Sequence, residues 1–196
     1  TTVYGLTENH EKTTGKDLKV LPKVVIYDPE LTLTLPAEIS ASSGMNAMAH
    51  AVEALYAEDK NPIISMMALE AIKSLYQALP KIVAQPQDLA ARKQAMYGAW
   101  LAGICLGSVG MAIHHKLCHT LGGTFNLPHA QAHAITLSYS AFYNQNTDDQ
   151  TMDLLAQALG GQSHEQVGEL IYALNQKLGI PMALKDIGLP ESGPAE

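Results

Sequence analysis

Five of the eight histidines in this chain fall in one run, Ile113 to Ile135, which reads I-H-H-K-L-C-H-T-L-G-G-T-F-N-L-P-H-A-Q-A-H-A-I. Within it His115 and His119 are four apart, the spacing that stacks two side chains on one helical face, and His129 and His133 repeat it. Gly122-Gly123 and Pro128 break the run between the pairs, so two histidine-bearing helices are expected. Upstream, S-G-M-N-A-M-A-H sets Asn46 and His50 at the same spacing inside an apolar stretch. Imidazole does two kinds of chemistry near neutral pH: it moves protons, and it ligates transition metals. A lone core histidine usually needs no more than a hydrogen bond. Several buried together are costly unless each finds a partner, and a shared ion, substrate or water network supplies one. The expectation is three helices converging on one pocket lined by His50, His115, His119 and His129.

The elements that must position these residues can be read around them. Ser42 or Ser43 is placed to cap a helix reaching Tyr56, with Met45, Met48, Ala49, Val52 and Leu55 on its apolar face and Glu53 on the other side. Asn61-Pro62 is a cap and first-turn pair for a helix through about Val83, and Asp88 precedes another from Leu89 to about Gly110. In that third helix Gly103 and Gly107 permit close helix approach, and Trp100 reads as core filling. After the second histidine helix, which runs to about Tyr143, Thr147 or Asp148 caps a helix to Leu159, and Ser163 with Gln166 forms a capping box for one ending at Lys177 before Gly179. Only Thr2–Thr7 and Lys23–Tyr27 read as strands, with the polar stretch Glu8–Leu21 as the loop between them. Pro190 to Glu196 reads as a frayed end. The fold class expected is therefore mainly α.

The chain has 196 residues, 47% hydrophobic and 16% charged, with a net charge of −7. That acidity, with no basic cluster beyond Arg92-Lys93, argues against nucleic acid or an anionic membrane as partner. Ala95–Ile113 is nearly long and apolar enough for a membrane span, but its small and polar residues make it a core helix. Cys105 and Cys118 form no C-x-x-C and lie in apolar stretches, which suits free thiols in a cytoplasmic protein. No Gly-rich phosphate cradle follows a strand. The chain opens on T-T-V-Y-G-L-T without an initiator methionine, and a fragment is expected.

The three histidine-bearing segments, in this order, resemble the C-terminal helical domain of the iron-containing alcohol dehydrogenase superfamily. In that family one helix carries D-x-x-x-H, and a later H-x-x-x-H is followed by a turn and P-H. Carried over, the resemblance implies metal ligands at His50, His115 and His129, with Asn46 at the fourth ligand position, and His119 beside the nicotinamide and substrate. The phrases V-L-P-K-V-V-I-Y-D-P-E-L-T-L-T-L-P, S-G-M-N-A-M-A-H-A-V-E-A-L-Y-A and P-H-A-Q-A-H-A are most similar to the maleylacetate reductase branch. That branch uses NADH or NADPH to reduce maleylacetate to 3-oxoadipate in the breakdown of aromatic compounds. The implied organisation is a remnant of the α/β nucleotide-binding domain over residues 1–36, leaving a short strand pair, and a helical catalytic domain over 37–196 with its C-terminus cut short.

Asn46 departs from the aspartate of the metal-dependent relatives. A neutral amide is a weaker ligand for iron or zinc than a carboxylate. Its loss also removes a negative charge from a pocket that would accept a small dicarboxylate. The catalytic candidates are then His119, His115 and His129, acting as imidazoles, with His50 in support. Two alternatives stand beside this reading: a metal-dependent alcohol dehydrogenase of the same superfamily, and a non-catalytic histidine-rich metal-binding helical module, which would need paired Glu-x-x-His motifs that the helices lack. A homodimer is left open.

Overall fold

A computed structural model of the chain describes residues 2–8 and 11–191. Among these, seven α-helices follow a small N-terminal hairpin, which is the mainly helical class expected. Strand β1 (Val3–Glu8) pairs antiparallel with β2 (Glu11–Lys16), in a register that sets Val3 against Lys16 and Glu8 against Glu11. The second strand therefore lies in the stretch expected to be loop, and Lys23–Tyr27 is not a strand. Pairing with the adjacent segment closes the smallest loop and so costs the least chain entropy. Val24, Val25 and Ile26 are left 79%, 53% and 87% exposed, with no strand beside them among the described residues.

Helix α1 (Ala37–Tyr56) begins at Pro36, well before the serines expected to cap it. Ser42 Oγ instead donates back to Glu38 O at 3.0 Å and Ser40 Oγ to Pro36 O at 2.9 Å, so both hydroxyls are spent within the helix. The other caps fall where the sequence puts them. Asn61 Oδ1 accepts from the backbone N–H groups of Ile63 and Ile64, both at 3.1 Å, and opens α2 (Pro62–Ala84). Asp88 caps α3 (Leu89–Ser108) through Ala91 N at 3.0 Å. The chain then bends by 96° into α4 (Ile113–Phe125). Gly122 and Gly123 stay inside α4, where a Cβ would meet nothing, and the helix ends at Asn126 in the left-handed region, φ 52°. Helix α5 (His129–Asn144) follows Pro128, and Asp148 caps α6 (Asp149–Ala158). The Ser163–Gln166 capping box opens a 3₁₀ turn that leads into α7 (Val167–Lys177), and Gly179, at φ +69°, lets the chain leave it. Of the end expected to fray, residues 192–196 lie outside the described residues.

Helix α1 is the centre of the core, packed against α2, α3, α5 and α6. Its Met45, Met48, Ala49, Val52 and Leu55 are all fully buried, the face the sequence assigned. Burial of each large side chain contributes about 1.5–3 kcal/mol, so this one stripe holds α1 rigidly for whatever its other residues do. Close approach of α3 to α2 is made at Gly98, where a Cβ would lie 2.9 Å from Leu75 Cγ and 3.1 Å from Ala71 O; at Gly103 nothing lies within 4 Å. Trp100 is 41% exposed against Tyr97 and fills no core. Buried Arg92 ties α3 to the start of α1 by donating to Pro86 O, Ser40 Oγ and Leu35 O at 2.8–3.0 Å. No single described helix is long and apolar enough to cross a membrane.

Candidate functional site

Three helices bring imidazoles together. Helix α1 supplies Asn46 and His50, and also Glu53, one turn further along. Helix α4 supplies His114, His115, Cys118 and His119, and α5 supplies His129, His133 and Ser140. The geometry of α4 is set by its missing cap. Its N-cap residue is Ala112, which has no side chain to satisfy the first-turn N–H groups. Glu53 does this from α1, its Oε1 accepting from His114 N at 2.8 Å. A carboxylate at a helix N-terminus also meets the positive end of the helix dipole, which favours its charge despite full burial.

The other Glu53 oxygen, Oε2, accepts a short hydrogen bond from His115 Nδ1. His115 Nε2 lies 2.6 Å from His50 Nδ1, with the two rings stacked at 4.7 Å between centroids. A second string runs through α5: His114 Nε2 to His133 Nδ1 at 3.1 Å, and His114 Nδ1 to Ser140 Oγ at 3.0 Å. His133 joins the strings to the open side, 4.9 Å from His115, 6.5 Å from His50 and 4.3 Å from His129 by ring centroids. His119 completes the set at 6.1 Å from His115 and 6.2 Å from His129. Thus His50, His115, His119 and His129 do converge on one cluster, graded from buried His114, His115 and His133 to exposed His119 and His129.

Burial dominates the electrostatics. It pushes His50 down to about 3 and His114 down to about 4, with the neighbouring imidazoles adding to the effect, and it lowers His133 further still. His50, His114 and His133 are therefore neutral at ordinary pH. Burial alone would raise the Glu53 carboxyl, but the hydrogen bond from His115, the favourable electrostatics of the two adjacent imidazoles and the His114 backbone N–H outweigh it and hold it below its ordinary value. Sequence reasoning placed Glu53 on the outer side of its helix and gave no role to His114 or Ser140. The correction has a physical cause: α1 is covered on that face too, by α4 and α5. The signal available was the spacing Asn46, His50, Glu53, one recurring face of a helix.

Whether the set fits a divalent metal is decided by its donors. Asn46 Oδ1 is buried and unpartnered, as a ligand oxygen would be. It is neutral, however, and the carboxylate in the cluster has both oxygens committed to His114 and His115. His50 and His115 turn their facing nitrogens on each other. Three imidazoles and an amide, with no anionic protein ligand, hold iron or zinc less firmly than the same set with a carboxylate in place of the amide. A second group, His114, Cys118 and His133, has ligand atoms within 4.8 Å of one another. There burial pushes the Cys118 thiol up to about 12, so it keeps its proton unless a bound cation displaces it.

Residues 40–195 match the C-terminal part of the Fe-containing alcohol dehydrogenase family. The chain is 52% identical over all 196 residues to maleylacetate reductase of Sphingobium indicum, covering 55% of that protein. It is similar to the crystal structure of maleylacetate reductase from Rhizobium sp. strain MTP-10005, with a TM-score of 0.92 and 49% identity over 98% of this chain and 54% of that one. Sulfoacetaldehyde reductase from Bifidobacterium kashiwanohense, solved in complex with NAD+, superposes with a TM-score of 0.90 at 28% identity, over 100% of this chain and 52% of that one. The chain spans about half the length of the curated relatives it matches. With its helical order, its histidine pairs on α4 and α5 and this match over most of its length, the chain belongs to the iron-containing alcohol dehydrogenase family.

Proposed function

We propose that this chain is the helical, substrate-handling part of a cytoplasmic maleylacetate reductase, which reduces maleylacetate to 3-oxoadipate with NADH or NADPH. The observation that carries the reading is the neutral Asn46 beside the neutral imidazole of His50, in a chain half-identical to maleylacetate reductases throughout. A dicarboxylate substrate needs a pocket without a free anion, and the Glu53 carboxylate is sealed behind His114 and His115.

The described residues hold no Gly-rich loop between strand and helix, so this chain does not cradle the dinucleotide phosphates. Reduced nicotinamide, when bound, supplies the hydride. The chain's own residues act at the other end of the conjugated system. Hydride gained at the carbon-carbon double bond puts developing negative charge on the keto oxygen, and a hydrogen-bond donor aimed there stabilises it. His119 and His129 stand on the exposed side of the cluster and are the imidazoles that would donate to that oxygen. His115 and His50 lie behind them and fix their surroundings.

The test is a fusion in which this chain replaces the matching part of the Rhizobium sp. maleylacetate reductase. Treated with chelator, the fusion is expected to oxidise NADH when given maleylacetate, and to lose that activity in His119→Ala. A folded fusion that ignores maleylacetate, or that instead oxidises a short alcohol with NAD only when metal is supplied, overturns the proposal.

A further inference from the structure

The hydrogen bonds around Glu53 have a definite direction. Its Oε1 accepts from the backbone N–H of His114, a group that can only donate. Its Oε2 meets His115 Nδ1, and an ionised carboxylate offers only lone pairs, so His115 Nδ1 carries the hydrogen. In neutral imidazole the other nitrogen then bears the lone pair. His115 Nε2 accepts, and His50 Nδ1, 2.6 Å away, donates to it. His50 is left with an unprotonated Nε2.

The second string is ordered from its far end. Ser140 Oγ spends its hydrogen on Leu137 O at 3.1 Å, so it accepts from His114 Nδ1 at 3.0 Å. His114 Nε2 must then accept from His133 Nδ1 at 3.1 Å. His133 Nε2 is left as a lone pair, buried and without a hydrogen-bond partner.

We infer that Glu53 is a positioning residue that sets the tautomer of His115 and, through it, that of His50. Both buried strings then end in Nε2 lone pairs, and neither His50 nor His133 offers an N–H to a substrate oxygen while neutral. The polarity of the site is built into the fold before any ligand arrives. This ordering does not depend on which carbonyl compound is the substrate, so it stands apart from the maleylacetate reading.

Glu53→Gln is the discriminating change because the backbone N–H of His114 cannot reverse. It claims the amide oxygen, which turns the amide NH₂ toward His115 Nδ1. That nitrogen must now accept, so His115 moves its hydrogen to Nε2, and His50 inverts in turn. The readout is the ¹⁵N shift of each imidazole nitrogen in the 196-residue chain, recorded above the histidine titration range, where protonated and bare ring nitrogens are well separated. In the wild type, His115 Nδ1 and His50 Nδ1 are expected in the protonated region and both Nε2 atoms in the bare region. In Glu53→Gln the two pairs of shifts exchange. A wild-type His115 protonated on Nε2 overturns the inference at once, whether or not the variant folds. So does a folded Glu53→Gln that keeps the wild-type order.

Discussion

Replacing Asn46 by aspartate tests how far a neutral amide defines this site. Asn46 and His50 are one turn apart on α1, which puts their Cβ atoms about 5–6 Å from each other. The Asn46 oxygen is already buried without a partner, so Asn46→Asp adds charge with almost no change in shape. At about 5 Å and an effective dielectric of about 20, a pair of unit charges interacts by about 3 kcal/mol. That energy acts with opposite sign on two processes. It favours a bound cation, by about two orders of magnitude in affinity for each unit of the cation's charge. It opposes an enolate forming in the same pocket, lowering kcat/KM for maleylacetate by about the same factor. Both are read on the fusion enzyme: metal content after dialysis against zinc, and the initial rate of NADH oxidation with chelator present. A variant that gains no zinc and reduces maleylacetate at the parent rate refutes the reasoning, since the charge would then be felt by neither partner.

Two further outcomes concern stability. His50, His114 and His133 are held below the ordinary histidine pKa in the folded chain, so on acidification the unfolded chain takes up protons first. Stability is full above about pH 6.5 and falls by several kcal/mol as the pH drops through about 4, and a urea midpoint unchanged between about pH 7 and pH 5 counts against neutral buried imidazoles. The half-buried His164–Asp153 pair, which raises the His164 pKa, works in the opposite sense. Gly168→Ala places a Cβ 2.7 Å from Phe142 Cβ and 3.2 Å from the backbone at Ser138 O, where α7 crosses the helix carrying His129 and His133. Thermal unfolding is expected to show a loss of about 1–3 kcal/mol; an unchanged midpoint means that α5 and α7 can separate without cost.

What could be read from the sequence depended on whether the controlling interaction was local. Asn61, Asp88, Asp148 and Ser163 cap through N–H groups two or three residues ahead, so their helices begin where expected. Ser42 has the same cap chemistry but donates to a carbonyl four residues back, an alternative that composition does not reveal. Lys23–Tyr27 has strand composition, but β1 takes its partner from the nearer polar segment. The convergence of His50, His115, His119 and His129 followed from helical spacing together with the family resemblance. Glu53 and His114 were not found: spacing puts Glu53 on the face of Asn46 and His50, but the contact that gives both residues their role, His114 N to Glu53, spans 61 residues and has no mark in the local sequence.

That same contact bears on how the chain folds. Helices α2, α3 and α6 each carry their own start signal and can nucleate from local sequence. Helix α4 does not: Ala112 gives it no cap, and the group that closes its first turn belongs to α1. Its first turn is therefore completed only where α4 docks against α1. The segment keeps its helical start only while residue 53 offers an acceptor oxygen there. Loss of that oxygen, as in Glu53→Ala, would be felt first in the docking of α4, with the apolar core around α1 still formed.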